Sequence, residues 1–157
     1  MATTRAGKDA DAALLPGGFH DAASLADIER LCVSPFPGSA TRPVLLRGLG
    51  DFCRHLAGFG LPFEIWIDGS FLTVKENPND VDVVIQIDLA AFERLPVGRQ
   101  DAWAEIFLQN EATLARWRVD AYMFFRGARS RAAYWEQWYG HTRMGEAKGI
   151  LRMMVTP

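Results

Sequence analysis

Cysteine, histidine, long apolar runs and surplus basic charge are all scarce in this 157-residue chain. The two cysteines, Cys32 and Cys53, are far apart in no metal-ligand or dithiol spacing, which excludes a disulfide framework. Both sit among apolar residues of expected helices and read as buried thiols of a reducing compartment. The three histidines, His20, His55 and His141, are not spaced to share a metal ion, so ordinary surface or loop roles are expected. No stretch approaches the roughly 20 apolar residues of a membrane span. Residues 1–13 lack the apolar segment of a secretory signal, and a cytoplasmic location without membrane association is the expectation. Lysine and arginine number 17 against 19 acids, giving a net charge of −2 and a pI near 5.9. With no long basic run, strong nonspecific binding of duplex DNA is not expected, since such affinity comes from phosphate neutralisation. Arg126, Arg129, Arg131, Arg143 and Lys148 fall in the last third and read as a solvated rim, with a local basic patch as the alternative.

Apolar residues make up 49% of the chain, enough for one core and too few residues for two full domains. Residues 1–14 read as a mobile N-terminal tail and 15–157 as one domain. The fold class expected is α+β: a small mixed β-sheet with strands at 63–68, 80–87, 119–125 and 149–155, covered by helices on one main face. Ser24-Leu25-Ala26-Asp27 resembles a capped helix start, and Pro35-Phe36-Pro37-Gly38 ends that helix. Thr41-Arg42-Pro43 opens another, whose Leu45, Leu49, Phe52, Leu56 and Phe59 form a stripe for the sheet. A short helix is expected over 89–95, ended by Pro96-Val97-Gly98, then one over 99–108. Asn110 breaks the apolar pattern before Leu114 and Trp117, predicting one helix with a polar core-edge position or two short ones. Ser130 is read as the cap of a helix that stops at Gly140.

The densest chemistry lies between residues 63 and 84. Phe63–Asp68 alternates as a strand and stops at Gly69, where glycine permits backbone angles closed to other residues. Ser70 and the neighbouring amides are suited to phosphate oxygens. In Asp80-Val81-Asp82-Val83 the two acids emerge on one face of the next strand, roughly 6.6 Å apart along it. They are placed to converge on divalent ions. A third acid, Asp120, opens the strand-like run 119–125. Carboxylates plus substrate phosphates suit Mg²⁺, with two ions expected and Mn²⁺ as a substitute. Lys75 reads either as a phosphate contact or as a solvated lysine. Arg118 and Tyr122 would share Asp120's face if that strand is regular, steadying it or stacking on a base. His141 and Arg143 could approach substrate from the C-terminal loop. Singly, each feature has a plain reading: a Gly-Ser pair is common loop material, and Asp-x-Asp is often a solvated edge.

Apolar-Gly-Ser, then Asp-apolar-Asp-apolar, then a distant apolar-Asp-apolar resembles the minimal nucleotidyltransferases of the DNA polymerase β superfamily. The string 68–84, with Leu15-Pro16-Gly17-Gly18-Phe19-His20 and Lys148-Gly149-Ile150, is similar to small bacterial and phage nucleotidyltransferase-like proteins. The resemblance implies that Asp80, Asp82 and Asp120 are catalytic and metal-binding, and that Gly69, Ser70 and Lys75 contact the nucleotide phosphates. It also implies an NTP such as ATP as donor, and transfer of a nucleoside monophosphate to an acceptor hydroxyl on RNA, protein or a small molecule, with release of pyrophosphate. A nucleotide-binding regulatory or antitoxin-like protein with a toxin or defence partner is the alternative. A metal-dependent nuclease is a third reading, with less need of a Gly-Ser phosphate cradle.

Overall fold

Alternating side chains in strands β2 (Phe63–Asp68) and β3 (Val81–Ile87) build the middle of a five-stranded sheet. The computed structural model describes residues 12–157. Strands β1 (Gly18–Ala22), β4 (Val119–Phe125) and β5 (Gly149–Val155) complete the sheet in the order β1-β5-β2-β3-β4. The β1–β5 and β3–β4 pairs are parallel, while β2 runs antiparallel to both β3 and β5, so the sheet is mixed. Together with six helices among the described residues this is an α+β domain.

The helices are α1 (Leu25–Cys32), α2 (Arg42–Ala57), α3 (Leu89–Glu93), α4 (Val97–Leu108), α5 (Asn110–Trp117) and α6 (Arg129–Tyr139). Helix α2 has proline in its first turn, where the missing N–H costs no hydrogen bond. Its Leu45, Leu49, Phe52 and Leu56, all fully buried, meet Ile65, Ile67, Val83 and Ile85 of the sheet. Each such side chain contributes roughly 1.5–3 kcal/mol relative to exposure. The opposite face carries a smaller cluster of Trp66, Val84, Phe124 and Ile150, covered by Trp135 and Tyr139 of α6. Burial pushes the thiols of Cys32 and Cys53 up to about 12, so both stay protonated at neutral pH. Among the described residues no helix is long and apolar enough to cross a membrane.

Several local expectations are corrected. Strand β1 is absent from the four strands expected; it forms by parallel pairing, Gly18 opposite Gly149 through Ala22 opposite Met153. Ala12–Leu14, assigned by sequence to the tail, are pinned: Leu14 N–H donates to Leu72 O and Val74 N–H to Ala12 O, both at 2.9 Å. Residues 1–11 of that tail lie outside the described residues. Two helices form as expected, but the break between them falls earlier than Pro96-Val97-Gly98: α3 ends at Glu93, Pro96 occupies the cap position and Val97 opens α4. Asn110 starts a separate helix, the two-helix form of the expectation. Helix α6 begins at Arg129, one residue before the expected cap Ser130. Strand β3 begins at Val81, leaving Asp80 in the loop just before it.

Candidate active site

Strand register sets out the site. Asp68 pairs with Asp82 across β2–β3, and Asp82 pairs with Asp120 across β3–β4. Three carboxyls therefore stand in one row across adjacent strands, on the face that also carries Trp66 and Val84. Asp80 adds a fourth, half-buried, immediately before β3. Burial, then the charges of Asp80, Asp120 and Asp68 together with a hydrogen bond to Asp120, push the Asp82 carboxyl up to about 7. Asp80 is raised as well, first by burial and then by Asp120. Asp120 is anchored from α5, where Asn110 Nδ2 donates to its Oδ1 at 2.5 Å, while Ala121 N–H donates to Asn110 Oδ1 at 3.1 Å. The polar residue that broke the helical stripe is thus the group that orients the third acid.

Gly69 has φ +78°, a region that disfavours any side chain, and a Cβ there would fall inside the Asp82 carboxylate. The main chain consequently lies directly against the acid row. Ser70–Leu72 then turn as a short 3₁₀ segment, with Thr73 Oγ1 donating to Ser70 O at 2.7 Å. The loop beyond is held by Arg42, which is fully buried. Its guanidinium donates to Cys32 O and Phe71 O at 2.7 Å, and to Thr73 O and Lys75 O at 2.6 Å. It also stacks on the Phe36 ring, 3.7 Å from the ring centre. Burial lowers the Arg42 pKa from its ordinary value.

Lys148, 6% exposed, is the cation buried beside the acid row. Its Nζ lies 2.5 Å from Asp68 Oδ1 and donates to Gly69 O at 2.8 Å. Gly69 N–H also donates to Asp68 Oδ1 at 2.8 Å, yet Asp68 Oδ2 is buried with no partner. Burial outweighs the pull of Lys148 and the Gly69 amide and pushes Asp68 up to about 7. The Tyr139 hydroxyl is likewise buried and unpartnered, and its phenol is raised by burial and then by the charges of Asp82, Asp68 and Asp120. A buried acceptor and a buried donor without partners, both beside uncompensated acids, mark a place built for something polar.

A cavity of about 400 Å³ joins these groups. All six residues singled out by sequence, Gly69, Ser70, Lys75, Asp80, Asp82 and Asp120, line it. So do Tyr122, His141 and Arg143, whereas Arg118 does not. Arg118 sits in the left-handed conformation that ends α5 at φ 56°, exposed and one residue outside β4, so the strand alternation never reaches it. Lys148 is in the site rather than in a solvated rim. His20 lies in β1 and bonds Pro16 O, and His55 packs against Phe59 and Trp117. Asp68, Lys148, Tyr139, Asn110 and Arg42 are site residues that sequence reasoning does not assign; Asn110 leaves a signal as a polar interruption, and Asp68 and Lys148 fall within the strings that carry the family resemblance.

Among the described residues no three His, Cys, Asp or Glu side chains already stand as a ligand set for a metal ion. The donors on offer are nonetheless all carboxylate oxygens, with acids raised by burial and then by mutual repulsion and one orphaned oxygen, which fits a hard divalent cation better than a soft one. No curated protein and no solved structure matches this chain. One family, described as "Family of unknown function (DUF6932)", matches residues 8–154.

Proposed function

The chain belongs to this family of unknown function, and from the acid row beside the Gly69–Ser70 turn we propose that it is a divalent-metal-dependent nucleotidyltransferase. The observation that carries the reading is the strand register that aligns Asp68, Asp82 and Asp120 against a backbone stripped of any side chain at Gly69.

Asp80, Asp82 and Asp120 would hold Mg²⁺, as two ions, or Mn²⁺. When bound, the metal offsets phosphate charge and favours the alkoxide form of the acceptor. The remaining work falls to the chain. The Gly69–Ser70 turn supplies main-chain and hydroxyl groups to the triphosphate, and Lys75, on the loop clamped by Arg42, adds a positive point charge. Asn110 donates to Asp120 Oδ1 and so fixes the orientation of that carboxyl. The Lys148 ammonium keeps Asp68 and the Gly69 carbonyl in place, fixing the turn relative to Asp82. The acceptor hydroxyl gives its proton to a carboxylate of the acid row, its oxygen forms a bond to the α-phosphorus of an NTP, the bond from that phosphorus to the α,β-bridging oxygen breaks, and pyrophosphate leaves with the electron pair.

The test supplies each α-labelled NTP with Mg²⁺ or Mn²⁺ and a cell lysate. Label transferred to RNA, protein or a small molecule, and lost in a folded Asp82→Ala protein, is the expected result. Shortened RNA would indicate a nuclease, and nucleotide retained without product a binding protein. Undiminished transfer by folded Asp82→Ala would refute the assignment.

A further inference from the structure

Helix α6 carries four aromatic residues, yet only two of them complete the core. Trp135 and Tyr139, one turn apart, pack on Trp66, Val84 and Phe124. Tyr134 and Trp138 point off that face and remain 49% and 65% exposed. They are not scattered surface aromatics: both line the acidic cavity, their ring centres 6.4 Å apart. Trp138 also borders a second cavity of about 430 Å³, lined otherwise by Gln137, His141, Thr142 and Arg143. Trp138, His141, Thr142 and Arg143 line both cavities, so the two adjoin along this wall. The carboxylates and the phosphate turn lie in the first, and the Arg143 guanidinium stands where the two meet.

A ligand that fills both cavities meets flat aromatic faces at Trp138 and Tyr134 and a guanidinium suited to a phosphate at Arg143. We propose that this surface seats the end of a single-stranded nucleic acid, delivering its terminal hydroxyl to the acid row. The proposal rests on the nucleotidyltransferase reading and names its acceptor class. Stacking on aromatic rings suits any base, because every base offers a π-face. It also suits a chain of net charge −2, which lacks the basic surface that duplex binding uses. The β4 residue Tyr122, with its ring 4.8 Å from Trp135, continues the aromatic wall toward Asp120 and so connects the stacking surface to the chemistry.

The experiment measures fluorescence anisotropy of 5′-fluorescein strands of about eight nucleotides, RNA and DNA, with the full chain and Mg²⁺. Trp138→Ala should weaken binding about tenfold or more with little change in salt dependence. Arg143→Ala should weaken it and reduce the log–log salt slope by about 0.7, the value for one phosphate contact on a single strand. Both side chains are exposed, and circular dichroism reports on the fold of each variant. Binding of the strand by Trp138→Ala as tightly as by the parent protein would overturn the proposal. Equal affinity for a duplex of the same sequence would do so too. Failure to bind any strand, while label passes to a protein or a small molecule, would sink this acceptor and leave the transferase reading intact. Trp138-dependent strand binding with no nucleotide incorporated under any condition would do the reverse.

Discussion

Lys148→Met isolates the buried ion pair that holds the phosphate turn. The ammonium and the Asp68 carboxylate are 7% and 2% exposed as side chains, so water screens neither. Removing one partner of such a pair costs about 3–5 kcal/mol, because the other charge is left buried. At roughly 2–4 °C per kcal/mol for a domain of this size, the melting temperature should fall by roughly 6–20 °C in metal-free buffer near pH 8. The loss should shrink in acid. An unfolded Asp68 carboxyl titrates near 3.8, while the folded one titrates at about 7. Between those values the folded chain holds the extra proton, so stability is greatest at low pH and declines as pH rises through 7. Without Lys148 the folded value moves higher still, and at about pH 5 both proteins carry a neutral Asp68, leaving only the packing difference between them. Calorimetric or fluorescence melts across that range provide the assay. The double variant Asp68→Asn with Lys148→Met should recover most of the loss. A gap between parent and Lys148→Met that is equal at both ends of the pH range, or a double variant no better than the single, would refute the charge argument.

Other perturbations have equally definite outcomes. Mg²⁺ at about 100 times its Kd should stabilise the protein by about 2.7 kcal/mol, raising its melting temperature by roughly 5–11 °C, and chelator should reverse the shift. Asp82→Asn should raise the melting temperature of the metal-free protein above pH 7 by removing a buried charge and its repulsion with the neighbouring acids, and should abolish the Mg²⁺ response. Gly69→Ala should leave circular dichroism close to the parent and eliminate nucleotide transfer, since the new Cβ collides with Asp82 in a backbone region alanine disfavours. Arg42→Met leaves the carbonyls of Cys32, Phe71, Thr73 and Lys75 without their donor, each at about 1–3 kcal/mol, so the melting temperature should drop by more than 10 °C or the chain should fail to fold.

Four strands could be placed from sequence because each carries β-branched and aromatic alternation in its own residues. Strand β1 could not. Gly18-Phe19-His20-Asp21-Ala22 has no such alternation, and it is extended because β5 lies beside it, a partner some 130 residues away in the chain. The same distinction holds within the site. Asp80, Asp82, Asp120 and the Gly69–Ser70 turn announce themselves through local spacing. Asp68 read as the last residue of a strand and Lys148 as one of several late cations, and only the β2–β5 pairing brings the two together. Arg42 looked like an ordinary helix-opening residue, because the carbonyls it gathers belong to segments that are remote in sequence.

The register of β3 has an evolutionary consequence. Hydrophobic packing and chemistry read the same alternation: the odd-numbered positions Val81, Val83 and Ile85 fill the interior, while Asp82 shares its parity with Val84 on the reverse side. A shift of one position in this strand would send valines toward solvent and an aspartate into the greasy layer at once. Misfolded or slipped versions would thus be purged for instability before their activity was ever tried. Insertions and deletions in this family should accordingly spare the strand itself.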